Sequence, residues 1–430
     1  MKKILLIFLF ISTLIINSQN KKTVNWINNN SIEIENANPD SELTIFKNNT
    51  PNKFENAKIF GFGEASHNTK EFFNIKAKFF KYLVKTLDVK IFIIEDEYQT
   101  EFGINEWISG GNGDVKTIAK NFISPFWRTK EIVNLLEWIR NYNLDKPKEN
   151  QIRFYGMDIE LGKRHNIEIR EFIKKNKIII GEELLKTADS CSIKMIDYVK
   201  PDNWWQFQTP KLKKLKQQIL NSRVNEKQLK NIIRSINYLI AYTQYATKVG
   251  SKYPESSEFR DLKMFENIKW IVENKSKNGK AFIWAHNEHI NKKEMYYTGS
   301  GIINLGRHLK DYYKDEYYSV GFDFGIGKIT GLVFDRKKGN YWKTYDIKKP
   351  FNKTLAKTLM NSKKNIYFID LQRAVESDSS NFFSKKNKHL LIAAGGYQPK
   401  PLYKIMTSKI FTETYDGLIF VKNISISDYN

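Results

Sequence analysis

The sequence predicts an α/β protein: a mostly parallel central sheet flanked by helices, with a mainly helical insertion acting as a lid. Three observations predict it. Short runs rich in Ile, Phe and Val recur along the chain with amphipathic segments between them, the pattern of strands buried on both faces and alternating with helices. Several of these runs end in carboxylates or histidines, and open parallel sheets bind ligands just beyond the carboxyl ends of their strands. Between Leu161 and Lys280 the strand signal gives way to apolar residues at helical spacing.

Taken in order, the chain opens on Met1-Lys2-Lys3, the apolar run Ile4 to Ile16 and the polar exit Asn17-Ser18-Gln19-Asn20. A short positive start, a run of this length and a polar exit predict a secretory signal peptide over residues 1–19, too short for a membrane span. The mature chain is then exported, periplasmic or secreted, and no later apolar stretch is long enough to cross a bilayer. Ala57 to Gly63 reads as the first buried strand, followed by an amphipathic helix from Thr69 to Leu87. Val89 to Ile94 ends in Glu95-Asp96-Glu97, and Ile152 to Gly156 leads into Met157-Asp158-Ile159-Glu160. In the insertion, 212–220 and 226–245 have helical periodicity, and Trp204, Trp205 and Phe207 read as core, the alternative being the lining of a cavity beneath the insertion. Ala281 to Trp284, Tyr318 to Phe324, Ile366 to Ile369 and Gly417 to Val421 complete the strands. Residues 20–160 and 281–430 are therefore expected to form the α/β catalytic domain, and 161–280 the helical insertion.

Composition narrows the function. A hydrophobic content of 41% with 14% aromatics supports a packed core. Cys191 is the only cysteine, which rules out an internal disulfide, a cysteine zinc site and an iron–sulfur cluster. The net charge is +23, a value that invites a nucleic-acid reading. The lysines are spread along the whole chain, however, so a nucleic-acid partner is not expected.

Two glutamate–histidine clusters carry the chemistry. Gly63-Glu64-Ala65-Ser66-His67 and Trp284-Ala285-His286-Asn287-Glu288-His289 hold three of the six histidines, each directly after a strand-like run. Asn68 is placed to cap the following helix, with Glu71 completing a capping box. His67 then lies beside a helix N-terminus, where positive partial charge favours the neutral imidazole that a general base requires. Glu64 is close enough to orient that ring. Lys76 falls within the buried stripe Phe72, Phe73, Phe79, Phe80, Leu83 and Leu87; it either snorkels outward or stabilises an anion near the site. Glu95 follows Ile91-Phe92-Ile93-Ile94 as a solvated strand end or a histidine partner. The serine-hydrolase elbow Gly-x-Ser-x-Gly is absent, because Ser66 lacks its second glycine. His-Glu-x-x-His is absent too, and Gly110-Gly111-Asn112-Gly113 lacks the Lys-Ser/Thr of a phosphate-binding loop.

Residues 63–73, Gly-Glu-Ala-Ser-His-Asn-Thr-Lys-Glu-Phe-Phe, resemble the signature of the erythromycin esterase family. So do Phe126-Trp127-Arg128-Thr129, Arg153-Phe154-Tyr155-Gly156-Met157-Asp158, Arg260-Asp261 with Met264, Glu266 and Asn267, Trp284-Ala285-His286-Asn287, and Gly321-Phe322-Asp323-Phe324-Gly325. The resemblance implies hydrolysis of an ester without a serine nucleophile, in the best-known members the macrolactone of macrolide antibiotics, and hence a part in macrolide resistance. It implies His67 as the base on water, supported by Glu64, Glu95, His286 and His289. Lys76, Arg128 and Arg260 are expected as electrostatic or substrate-binding groups. Asn68 stands where the family usually carries glycine, a change that leaves the base in place and alters the loop beside it.

The expectation is thus an exported hydrolase acting on a small-molecule ester, with no cofactor. Two alternatives stand beside it. In the first, a divalent metal is held by Glu64, His67, Glu95, Asp158, His286 and His289. In the second, the protein is a ligand-binding protein that keeps the pocket without turnover.

Overall fold

The structure, a computed structural model, describes residues 21–428 apart from 199, 201, 250–253, 334–338, 340, 393–396 and 398–404. The expected signal peptide lies outside the described residues. In chain order the strands are β1 (Ile32–Glu33), β2 (Ile59–Phe62), β3 (Ile91–Glu97), β4 (Arg153–Asp158), β5 (Ala281–Trp284), β6 (Tyr317–Val333), β7 (Tyr341–Ile347), β8 (Ile366–Asp370), β9 (Asn387–Leu390), β10 (Met406–Lys409) and β11 (Gly417–Ile424). The architecture is α/β with mostly parallel pairing, and the chain divides into two compact units.

The first unit comprises Met1–Lys90, Arg128–Leu135 and Lys277–Asn430. Its strands lie in the order β1-β8-β11-β6-β2-β5, with β7 paired to β6 and a separate β9–β10 pair. From β11 to β5 the neighbours are parallel, whereas β8, β1 and β7 pair antiparallel. Every residue of β2 and β5 is buried, as expected of strands covered on both faces. Aromatic rings fill the layer against them: Phe62 meets Phe79 and Phe282 at 5.1 Å between centroids, and Phe54 meets Tyr318 at 5.0 Å. The register sets Phe62 level with Trp284 and with Val320. Backbone pairing continues past the strand ends, where the Ala285 N–H donates to Phe62 O at 3.2 Å and the Asn287 N–H to Glu64 O at 3.0 Å. The two glutamate–histidine segments therefore leave the sheet side by side.

The second unit comprises Ile91–Trp127 and Leu136–Ser276. Its β3 and β4 run parallel, with an irregularity between Ile94 and Glu97. The helices His165–Lys175, Glu182–Ile193, Gln208–Leu220, Glu226–Lys248 and Glu255–Lys275 follow. Trp205 is buried in their core beside Tyr242, at 5.2 Å between centroids, whereas Phe207 is exposed. Cys191 is buried and free. Among the described residues, no helix is long and apolar enough to cross a membrane.

Three local expectations are corrected. Glu95, Asp96 and Glu97 lie inside β3 rather than beyond it, because pairing to β4 continues as far as Glu97↔Asp158. Strand β6 runs on to Val333 against the polar, exposed β7, which has no apolar run to betray it. Asn68 is not the helix cap. The helix starts at Lys70 with Thr69 as its N-cap, and Glu71 accepts from the Ser425 N–H and hydroxyl at 2.6 and 2.7 Å instead of closing a capping box.

Candidate active site

The site in the first unit is built where β2 gives way to helix Lys70–Thr86. Gly63 begins the turn, and a Cβ there would sit 2.2 Å from Asn287 Oδ1. The Asn287 amide needs that space because it is bonded to β6, donating to Phe322 O at 2.7 Å and accepting the Phe322 N–H at 3.0 Å. Asn68 adopts a left-handed backbone, φ 57°, which glycine takes freely and asparagine tolerates better than most residues. The loop is fixed from outside by a distant segment. The Lys70 N–H donates to Ser425 O, and the Ser427 N–H to Asn68 O, both at 3.0 Å.

Within this frame His67, Glu64 and Lys76 form a chain of charge-assisted hydrogen bonds. Glu64 Oε1 bonds His67 Nδ1, and Oε2 accepts from Lys76 Nζ. Glu64 and Lys76 are fully buried, and the His67 side chain is 12% exposed. Lys76 does not snorkel; its ammonium lies 4.2 Å from the Trp284 ring centroid and 5.6 Å from that of Phe73. Burial alone would raise the Glu64 pKa, but Lys76 and then His67 outweigh it and hold the carboxyl below its usual range. With Nδ1 on Glu64, the outward nitrogen of His67 is Nε2.

The second cluster meets the first. The rings of His67 and His286 are 5.2 Å apart between centroids. His286 caps the short helix Asn287–Ile290: its Nδ1 accepts the Glu288 N–H at 3.2 Å, and its Nε2 lies 3.1 Å from Ile392 O. A carbonyl on one nitrogen and an N–H on the other define the neutral Nε2–H tautomer. His289 is buried on the same short helix. Arg128, half-buried, leads into helix Lys130–Leu144.

Glu95 and Arg260 belong to the second unit, within a group of buried acids. Arg260 grips Asp158 with two hydrogen bonds, one of 2.8 Å from Nε, and its Nη2 lies 3.5 Å from Glu95 and 3.4 Å from Glu160. Burial pushes Asp96 up to about 8 against the Ile123 and Ser124 N–H groups that it accepts. Glu97 is raised by burial first and then by Asp158 and Glu160. Glu97, Asp158 and Glu160 each offer an oxygen within 4.8 Å of the others, the span of two oxygens across a divalent cation.

Sequence reasoning gave no role to Glu288, although it sits inside the second cluster, nor to Lys409, its buried partner. Asp323 was visible only as part of a motif. It is buried, its pKa is pushed up to about 7 by burial, and its Oδ2 has no hydrogen-bond partner among the described residues.

An α/β layer whose adjoining strand ends deliver a carboxylate-backed histidine beside a second histidine is built for acid–base chemistry on a small molecule. The chain belongs to the erythromycin esterase family, whose model matches residues 84–424; the Glu64–His67 turn lies before that span. It is similar to erythromycin esterase type II of Escherichia coli, 22% identical over 364 residues, covering 78% of this chain and 85% of that protein. A Bacillus cereus protein of solved structure matches with a TM-score of 0.80 at 22% identity over 96% of this chain and 99% of that one. A mutant of the erythromycin esterase EreC in its open conformation matches with a TM-score of 0.68 at 15% identity, over 92% and 98%. These structures establish a shared fold, and family membership implies an ester hydrolase.

Proposed function

We propose that the protein is an exported hydrolase that cleaves an ester by histidine-activated water, with a macrolide lactone as the first substrate to test and macrolide resistance as the consequence. The carrying observation is the buried Lys76–Glu64–His67 chain with the His286 ring 5.2 Å from that of His67. In this reading His67 Nε2 takes the proton of a water that attacks the ester carbonyl. Glu64, kept ionised by Lys76, holds Nδ1–H and stabilises the imidazolium as it forms. Lys76 therefore acts on Glu64 rather than on the substrate. His286, bonded through both ring nitrogens, donates from Nε2 and does not need to charge. That leaves His289 as the residue that returns a proton to the leaving alcohol. The resemblance extends the proposal to Glu95 as a support of the histidine and to Arg128 and Arg260 as electrostatic stabilisers, where loss of one oxyanion donor typically costs about 3 kcal/mol.

Incubation with erythromycin followed by mass spectrometry tests the reading, the expected product being the substrate plus one water. Full turnover by His67→Ala would sink it. A chelator arm addresses a metal-dependent route through Glu97, Asp158 and Glu160, for which loss of turnover on chelation and return on adding a divalent cation is the signature.

A further inference from the structure

A second buried ion pair stands behind His286. Glu288 and Lys409 are 3% and 1% exposed. Lys409 Nζ, on β10, donates to both carboxylate oxygens of Glu288 at 2.8 Å, and the Tyr296 N–H donates to Oε2 at 2.5 Å. The Glu288 carbonyl accepts from Asn291 Nδ2 at 3.0 Å and Asn304 Nδ2 at 2.6 Å. Its N–H is the group that His286 Nδ1 accepts. Glu288 is therefore held at its side chain and its carbonyl, which fixes the direction of the one N–H that selects the His286 tautomer. Two desolvated charges seldom stabilise a core better than apolar residues would, and their best-attested use is to single out one arrangement among several. Here the arrangement singled out is that of a histidine touching the proposed base. If His286 turned over to Nδ1–H, two donors would face each other at the cap and Nε2 would lose the hydrogen bond it donates to Ile392 O.

We propose that Lys409 and Glu288 are positioning residues that hold His286 in its Nε2–H tautomer beside His67, a role in catalysis that rests on the hydrolytic reading above. Neither touches the substrate; each acts through the cap of Asn287–Ile290. The pair joins the short helix after β5 to a strand 121 positions later.

The test is 15N NMR of the histidine rings in the full chain, run alongside steady-state kinetics. The parent protein near about pH 7 is expected to show His286 with its proton on Nε2. The double variant Glu288→Gln with Lys409→Met removes both charges without leaving one unpaired, and circular dichroism checks that it folds. In it His286 is expected to populate both tautomers. Its kcat is expected to fall about ten- to a hundredfold with KM within about twofold, the pattern of a displaced group rather than lost binding. Lys409→Arg, which keeps the charge, is expected to keep the parent tautomer. A folded double variant with His286 still wholly Nε2–H overturns the proposal. So does a parent spectrum with the proton on Nδ1 or on both nitrogens, whatever the variants do. If the tautomer shifts as expected while the parent hydrolyses no ester, the positioning role stands and the hydrolytic reading falls.

Discussion

Replacing Lys76 by methionine is the sharpest test of how the base is supported. Met fills most of the lysine volume, so the change removes a charge more than it opens a cavity. Glu64 is then left fully buried with His67 on Oε1 and with Oε2, which accepts from Lys76 in the parent, deprived of its donor. Removing one member of a buried pair typically costs about 3–5 kcal/mol, a large share of a usual total of about 5–15 kcal/mol. The pH dependence gives the sign. In the parent the Glu64 carboxyl lies below its ordinary value, so its stabilisation is present above the unfolded pKa and is lost as pH falls through the folded one. In the variant burial dominates, the folded pKa rises above the unfolded value, and stability falls as pH rises. The gap between the two proteins should therefore be widest well above the ordinary carboxylate range and close only as pH falls below the parent's lowered Glu64 pKa. Urea unfolding followed by tryptophan fluorescence across that range measures it. A loss under about 1 kcal/mol, or a gap that ignores pH, would refute the buried-pair account. Adding Glu64→Gln to Lys76→Met should recover much of the stability but not the turnover.

Other outcomes follow from the same geometry. His67→Gln should lower ester turnover by about 10²–10⁴-fold with little change in unfolding midpoint, as checked by product mass and thermal melting. Asn68→Gly should be nearly neutral in stability, while Asn68→Val should cost about 1–2 kcal/mol because of its left-handed backbone. Gly63→Ala should destabilise by about 1–3 kcal/mol through its collision with Asn287, measured by chemical denaturation. Burial raises the Asp323 carboxyl to about 7, so the folded chain keeps a proton that the unfolded chain releases, and stability falls as pH rises towards that value. Asp323→Asn should flatten this decline in a pH series of melting temperatures.

Much of the sheet was legible because its strands are apolar on both faces. Ala281 to Trp284 was placed to the residue, and the α/β class followed from the alternation of such runs with helices. What escaped was polar. Strand β7 is mostly exposed and gives no hydrophobic signal, and Glu95 to Glu97 read as a strand end because carboxylates inside a buried parallel strand are rare. The site was legible as residue types: Glu64, His67, His286 and His289 were all chosen from two short clusters. Their supports were less so. Lys76 stood out because a lysine interrupts a buried helical stripe, but its partner Glu64 lies 12 positions earlier, in the turn before the helix, where no helical spacing points to it. Lys409 carries no local sign of its pairing with Glu288, which only the tertiary fold creates.

The clasp between residues 425–427 and the turn after β2 has a consequence for biogenesis. Glu71 and Ser425 are 354 positions apart, so a ribosome must add all the intervening residues before the segment that pins Asn68, Lys70 and Glu71 exists. During synthesis the segment bearing His67 can form its helix, but its backbone is secured only once residues 425–427 have been made. A chain truncated before Ser425 should therefore lack these bonds to Asn68, Lys70 and Glu71 and hold the turn that bears His67 less firmly.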